Sequence, residues 1–208
     1  MMRMPITIEP MEPKYNPQVS RLYVHAFRGK FQTLTNMNDG DLALFFEKLF
    51  ACTPIDPASQ RMVALQDGEV IGTISIKIKL ETNIKNKQSN FPWRSFKSFG
   101  KWNVFKMSIG LYLFDYKPKY GECYIADVVV HPDHRSKGVG KLLMQWAQDF
   151  VQGEPLLVRL SLHVSGKNQR AKDLYEKISF RTHLQENSFV WHFLFNEKEW
   201  YYMVKDIK

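Results

Sequence analysis

Arg135, Ser136, Lys137, Gly138, Val139 and Gly140 lie between two very different stretches of the chain. Ahead of them runs an apolar segment, Ile125 to Val130, interrupted by Asp127 and followed by His131-Pro132-Asp133-His134. Behind them Val139, Leu142, Leu143, Trp146, Ala147 and Phe150 recur at helical spacing. A basic, glycine-containing turn between a strand and a helix start is suited to holding a phosphate. Free backbone N–H groups converge there, and the helix dipole favours an anion. Arg135 and Lys137 add cations, and Gly138 and Gly140 let the backbone approach a ligand closely. The spacing fits neither a Walker loop, Gly-x-x-x-x-Gly-Lys-Ser/Thr, nor the Gly-x-Gly-x-x-Gly of dinucleotide folds.

A second pattern follows: Asn168-x-x-Ala171-x-x-Leu174-Tyr175-x-x-Ile178-x-Phe180. Ala171, Leu174, Tyr175 and Ile178 form one helical stripe, and Leu174 and Ile178 read as core. Tyr175 differs, because a phenol on such a stripe needs a hydrogen-bond partner. Asn168 suits a helix N-cap.

Together these residues resemble the GNAT acetyltransferase superfamily. Arg135-Ser-Lys-Gly-Val-Gly after Val128-Val129-Val130 looks like its pyrophosphate loop, Gln/Arg-x-x-Gly-x-Gly/Ala. Asn168 to Phe180 looks like its following motif, Asn-x-x-Ala-x-x-Leu-Tyr-x-x-x-Gly-Phe. The match covers roughly Cys123 to Phe180. The resemblance implies acetyl-CoA as cofactor and direct transfer of the acetyl group to a primary amine of a small molecule or peptide. The backbone of Val128, Val129 and Val130 would then pair with the pantetheine arm, and the amides from Arg135 through Lys141 would hold the pyrophosphate. Asn168 would contact the cofactor arm, and Tyr175 would be the general acid for the departing thiolate. A non-catalytic acyl-CoA-binding sensor of the same fold is the alternative. Ser179 stands where the family often has glycine; a positive φ there would cost a serine about 1 kcal/mol.

A general base would have to take the proton of the attacking ammonium. Asp127 is the first candidate, Glu122 the second, and His131 and His134 follow. Alternation sets Asp127 opposite Val128 and Val130 and in line with Ile125 and Val129. An acid in that row could face the substrate cleft or pair with a basic neighbour.

The elements that must position these residues read as an α/β chain (α+β with a mixed sheet), and no linker marks a domain boundary within 1–208. The resemblance makes the sheet central, mostly antiparallel and flanked by helices. Strands are expected at Ile6–Glu9, Met62–Leu65, Val70–Leu80, Cys123–Val130, Leu156–Val164, and around Phe189–Phe195 and Trp200–Val204. Helices are expected at Pro17–Phe27, from Asp39 or Asp41 as cap through Phe50, at Gly138–Val151 and at Asn168–Ile178. Asp67-Gly68 signals a tight hairpin. Ile74, Ile76 and Ile78 alternate with Ser75, Lys77 and Lys79, which predicts one wet strand face.

A basic, aromatic insert at about 82–120 breaks this rhythm, with Trp102, Phe105, Ile109, Tyr112 and Leu113 at helical spacing. Between Lys77 and Lys119 there are ten basic residues against two acidic, so this segment carries the whole net charge of +8. The insert reads as an amphipathic cover, as a wall of the acceptor site favouring an acidic acceptor, or as a surface for an anionic membrane or nucleic acid. No base-reading motif supports nucleic acid. Cys52 and Cys123, in no metal or redox spacing, read as buried free thiols, and no metal site is expected. No signal peptide or membrane span is legible, so a cytoplasmic monomer or homodimer is expected.

Overall fold

The structure is a computed structural model that describes residues 4–31, 33–52, 56–79, 93–187 and 196–208. The strands are β1 (Thr7–Pro10), β2 (Ser59–Gln66), β3 (Glu69–Ile78), β4 (Glu122–Val130), β5 (Arg159–Ser165), β6 (Arg181–Asn187) and β7 (Glu199–Asp206). The helices are α1 (Asn16–Phe31), α2 (Asp39–Cys52), α3 (Lys101–Leu113), α4 (Val139–Gly153) and α5 (Gln169–Lys177). All seven strands join one sheet in the order β1-β2-β3-β4-β5-β7-β6. Among the described residues only β4 and β5 pair in parallel. The mixed, mostly antiparallel sheet is the expected one.

Local chemistry explains the element ends. Asp67 and Gly68 take φ values of 52° and 80°, so the β2–β3 turn is the two-residue kind that both residue types accept. The cap of α2 is Asn38 rather than either aspartate: its Oδ1 accepts from the Asp41 N–H at 2.9 Å. Asp39 and Asp41 instead fall in the first turn, where the helix dipole favours them.

Each face of the sheet has its own core. On one side α1 and α2 bury Val19, Leu22, Leu42, Phe45 and Phe46 against Val63 and Val129. On the other, Leu143, Met144, Ala147 and Val151 of α4 pack on Ile74, Ile76, Ile125, Leu160 and Leu162. Each such side chain contributes roughly 1.5–3 kcal/mol on burial. Gly72 permits the close approach of α4, since a Cβ there would stand 3.0 Å from the Val129 carbonyl oxygen and 3.1 Å from Leu143.

Several expectations need correction. The second face of β3 is not wet at Ser75, which is buried because α1 and α2 cover it. A strand forms at Arg181–Asn187, where none was expected, whereas the strand expected around Phe189–Phe195 lies outside the described residues. Cys52 is exposed; only Cys123 is buried. In the insert, α3 forms over the expected aromatic spacing, but its core-facing residues are Val104, Met107 and Gly110. Trp102, Phe105, Ile109 and Tyr112 are on its exposed side. Residues 82–92 of the insert lie outside the described residues.

Candidate active site

The parallel strands β4 and β5 pair only from Glu122–Arg159 to Ile125–Leu162. Beyond that rung β4 continues to Val130 and β5 to Ser165 without a common ladder. The split begins beside a bulge. Against β3, Ile125 pairs with Ile76 and Asp127 with Ser75, leaving Ala126 as an extra residue. The bulge also resets the alternation. Cys123 and Ile125, and then Val128 and Val130, face α4. Asp127 therefore does stand opposite Val128 and Val130 and in line with Val129, but it aligns with Glu122 and Tyr124 rather than with Ile125. One inserted residue accounts for the difference.

Past the split, the β5-side backbone edge of Ala126 through Val130 has no strand partner among the described residues. It leads through a 3-10 turn, Pro132–His134, into the basic loop. Ser136 has φ 61° and Gly138 φ 85°, two left-handed residues in quick succession, as in backbone anion nests. Gly138 caps α4 with no side-chain bond. Among the described residues, no N–H group from Ser136 to Lys141 donates a hydrogen bond; the next, Leu142, donates to the Gly138 carbonyl at 3.0 Å. Arg135 Nε reaches the Val130 carbonyl at 3.4 Å, and Arg170 donates to Ser136 Oγ at 2.9 Å. Unspent backbone donors thus face solvent among the exposed cations of Arg135, Lys137 and Lys141.

Asn168 caps α5, its Oδ1 accepting from the Ala171 N–H at 3.3 Å. Ser179, with φ 71°, makes the left-handed turn that ends this segment. Tyr175 is buried in the α4-side core beside Phe180, at 5.9 Å between ring centroids. No hydrogen bond among the described residues engages its hydroxyl. Burial first, and the charge of Asp127 second, push the phenol up to about 12.

Asp127 is engaged at one oxygen. Its Oδ2 accepts from the Ser75 hydroxyl and lies 3.6 Å from the Arg61 guanidinium, which stacks on Tyr23 and Phe50. Its Oδ1 is enclosed and unpaired. Glu122 is buried and fully committed: Ser161, Tyr202 and Tyr116 donate hydroxyls to it, and Lys119 a backbone N–H. His131 shapes its turn, accepting from the Asp133 N–H at 3.3 Å, with the rings of His25 and His134 beside it.

Two residues outside the sequence-derived set stand at the split. Tyr124 Oη lies 3.1 Å from His163 Nδ1. Tyr116 and Tyr202 enclose the imidazole, with centroids at 5.2 and 4.9 Å. Burial lowers the His163 pKa below its usual 6.5 despite the opposing charges of Glu186 and Glu122. Burial likewise raises Tyr124, helped by Glu122 and Asp127 and, more weakly, by Tyr175. The available signal was a histidine inside the apolar run Leu160-Ser161-Leu162-His163-Val164, which a purely structural strand does not require. Among the described residues, no group of three or more His, Cys, Asp or Glu side chains could hold a metal. No helix there is long and apolar enough to cross a membrane.

The chain is thus an α/β protein whose sheet splits between two parallel strands, beside an anion cradle at a helix start. The profile of the Acetyltransferase (GNAT) family matches residues 24–180, and the chain belongs to that family. It is similar in fold to NAA60 of Arabidopsis thaliana in complex with acetyl-CoA, at 21% identity and TM-score 0.60, covering 98% of this chain and 99% of that one. It is also similar to the ribosomal-protein-S18-alanine N-acetyltransferase of Escherichia coli, at 15% identity and TM-score 0.57, covering 98% and 95%. A spermidine N-acetyltransferase SpeG chimera from Vibrio cholerae and hSSAT matches at 15% identity and TM-score 0.58, covering 97% and 95%. No curated protein sequence matches the chain significantly.

Proposed function

We propose that this chain transfers the acetyl group of acetyl-CoA directly to a primary amine of a small molecule or peptide. The observation that carries the reading is the company kept at the strand split. Tyr124 is bonded to His163 where the pairing of β4 and β5 ends, and the buried phenol of Tyr175 makes no hydrogen bond among the described residues. The unspent N–H groups of Ser136 to Lys141 fit a pyrophosphate, and the unpaired edge of Val128, Val129 and Val130 fits an amide-bearing arm. Asn168, the cap of α5, is the further contact proposed for the cofactor arm.

In this reading neutral His163, hydrogen-bonded to Tyr124, takes the proton of the arriving ammonium, directly or through water. The free amine forms the new C–N bond as the C–S bond breaks. One proton ends on sulfur, and one is released to solvent for an acceptor that arrives charged. Tyr175, its phenol held up to about 12 and so protonated at pH 7, acts as the general acid: it gives its proton to the departing thiolate and regains one from the nitrogen that has been acylated. A second reading makes Asp127 the base, and its unpaired Oδ1 favours it.

The test is release of free thiol from acetyl-CoA across an amine panel, for the native chain and Tyr175→Phe. Turnover by the native chain, with a kcat loss of about 10²-fold or more in Tyr175→Phe and donor binding retained, is the expected result. Donor binding with no native turnover across the panel overturns the enzyme reading in favour of an acyl-CoA sensor.

A further inference from the structure

We propose that the outer face of α3 is a docking surface for an anionic lipid bilayer. The helix is apolar on both sides. Val104, Met107 and Gly110 are buried toward α2 and its neighbouring 3-10 turn, Trp93–Phe99. On the opposite side Trp102 is 66% exposed, Phe105 46%, Ile109 38% and Tyr112 76%. Their spacing of three, four and three residues sets them in one stripe about 15 Å long. A helix apolar all round is normally covered on both sides, and an aromatic stripe left in solvent marks an interaction surface. Trp102 and Phe105 stack on each other at 5.6 Å, and an open depression of about 480 Å³ beside them is lined by Phe96, Lys97, Lys101 and Val104.

Charge selects the occupant. No acidic residue occurs in α3; exposed Lys97 and Lys101 line the depression beside the stripe, Arg94 is exposed on the preceding 3-10 turn, and Lys106 lies above the Trp102 ring at 5.5 Å. The partner must accept apolar and aromatic side chains at its surface and present negative charge around them. A second copy of this chain would bring the same cationic segment against itself. A nucleic acid offers charge and stacking surfaces but little for Ile109. An anionic bilayer meets both demands: Trp and Tyr seat at the headgroup level, Phe and Ile reach the acyl boundary, and lysines extend to the headgroups. With one short helix, the attachment is peripheral, reversible and salt-sensitive.

The test uses the full chain with vesicles of phosphatidylcholine alone and of phosphatidylcholine with phosphatidylserine. Co-sedimentation with the second only, weakening as salt rises, is the expected result. Trp102→Ala with Phe105→Ala weakens it by roughly tenfold or more. Lys97→Gln with Lys101→Gln weakens it by about fivefold per lysine and flattens the salt dependence. These side chains are exposed, so thermal unfolding of both double variants should match the parent, and the control Lys14→Gln should bind like it. The proposal is overturned by equal sedimentation with both vesicles, or by binding unchanged in both double variants. It is also overturned by a dimer that Trp102→Ala dissociates, or by a single-stranded oligonucleotide that displaces the chain from vesicles at low occupancy.

Discussion

Tyr124 Oη and His163 Nδ1 lie 3.1 Å apart where the parallel pairing of β4 and β5 ends. Because burial depresses the imidazole's pKa below 6.5, His163 is neutral at pH 7 and protonates only in more acidic solution. If it is the base, kcat falls as pH drops through that lowered value. His163→Gln should cost about 10²–10⁴ in kcat and remove this acid limb. Asp127→Asn should leave the limb in place and lower stability through the Arg61 pair. A rate profile in which His163→Gln keeps the limb, and Asp127→Asn abolishes it, transfers the role to Asp127. The same shift has a stability sign. Between the depressed pKa and 6.5 the unfolded chain binds more protons at this site, so its contribution to stability declines as pH falls below 6.5.

The anion cradle depends on backbone shape at Gly138. Its φ is 85°, and a Cβ there would meet nothing within 4 Å. Gly138→Ala therefore introduces conformational strain without a clash, about 1–2 kcal/mol for a left-handed non-glycine residue. Relaxation of the loop to avoid that strain would misalign the free N–H groups. The expected outcome is a donor KM raised by roughly tenfold, with the pH profile of kcat unchanged. An unaltered donor KM would separate this loop from donor binding.

Ser179 offers the opposite experiment. It holds φ 71° while its N–H donates to the Glu176 carbonyl at 3.0 Å. Glycine can keep both the conformation and that bond. Ser179→Gly should stabilise the fold by about 1 kcal/mol, a rise of about 2–4 °C in Tm for a chain of this size. No gain in calorimetry would mean that the turn is not strained.

Much of the donor side was legible because its residues are contiguous: the loop from Arg135 to Gly140 and the helix after Asn168 carry their own turn and cap chemistry. The acceptor side depends on three-dimensional juxtapositions. Tyr124 and His163 are neighbours only because β4 and β5 pair in parallel, a relation that no local pattern encodes. The face assigned to Asp127 was right toward Val128 and wrong toward Ile125, because periodicity does not reveal the bulge at Ala126. In α3, spacing located the helix, but both faces are apolar and the larger aromatics lie on the outer one.

Lys30 provides a prediction in which burial and charge oppose each other. Its ammonium lies 5.3, 5.5 and 4.8 Å from the ring centroids of Phe27, Phe114 and Trp200. Burial lowers its pKa from 10.5 to about 8, with Glu197 opposing the shift. The folded chain thus gives up this proton before the unfolded chain does. Below about pH 8 the full penalty for the charged amine is present. It is relieved as pH rises from about 8 toward 10.5, where the unfolded state binds more protons. Lys30→Met keeps the packing and removes the charge, so it should stabilise the chain at pH 7 by on the order of 2 kcal/mol, less whatever cation–π attraction is lost. The difference in unfolding free energy between variant and parent should shrink steadily above about pH 8. A difference that stays constant across that range would show that the amine is charged equally in both states, and that the three rings and Glu197 fully offset its burial.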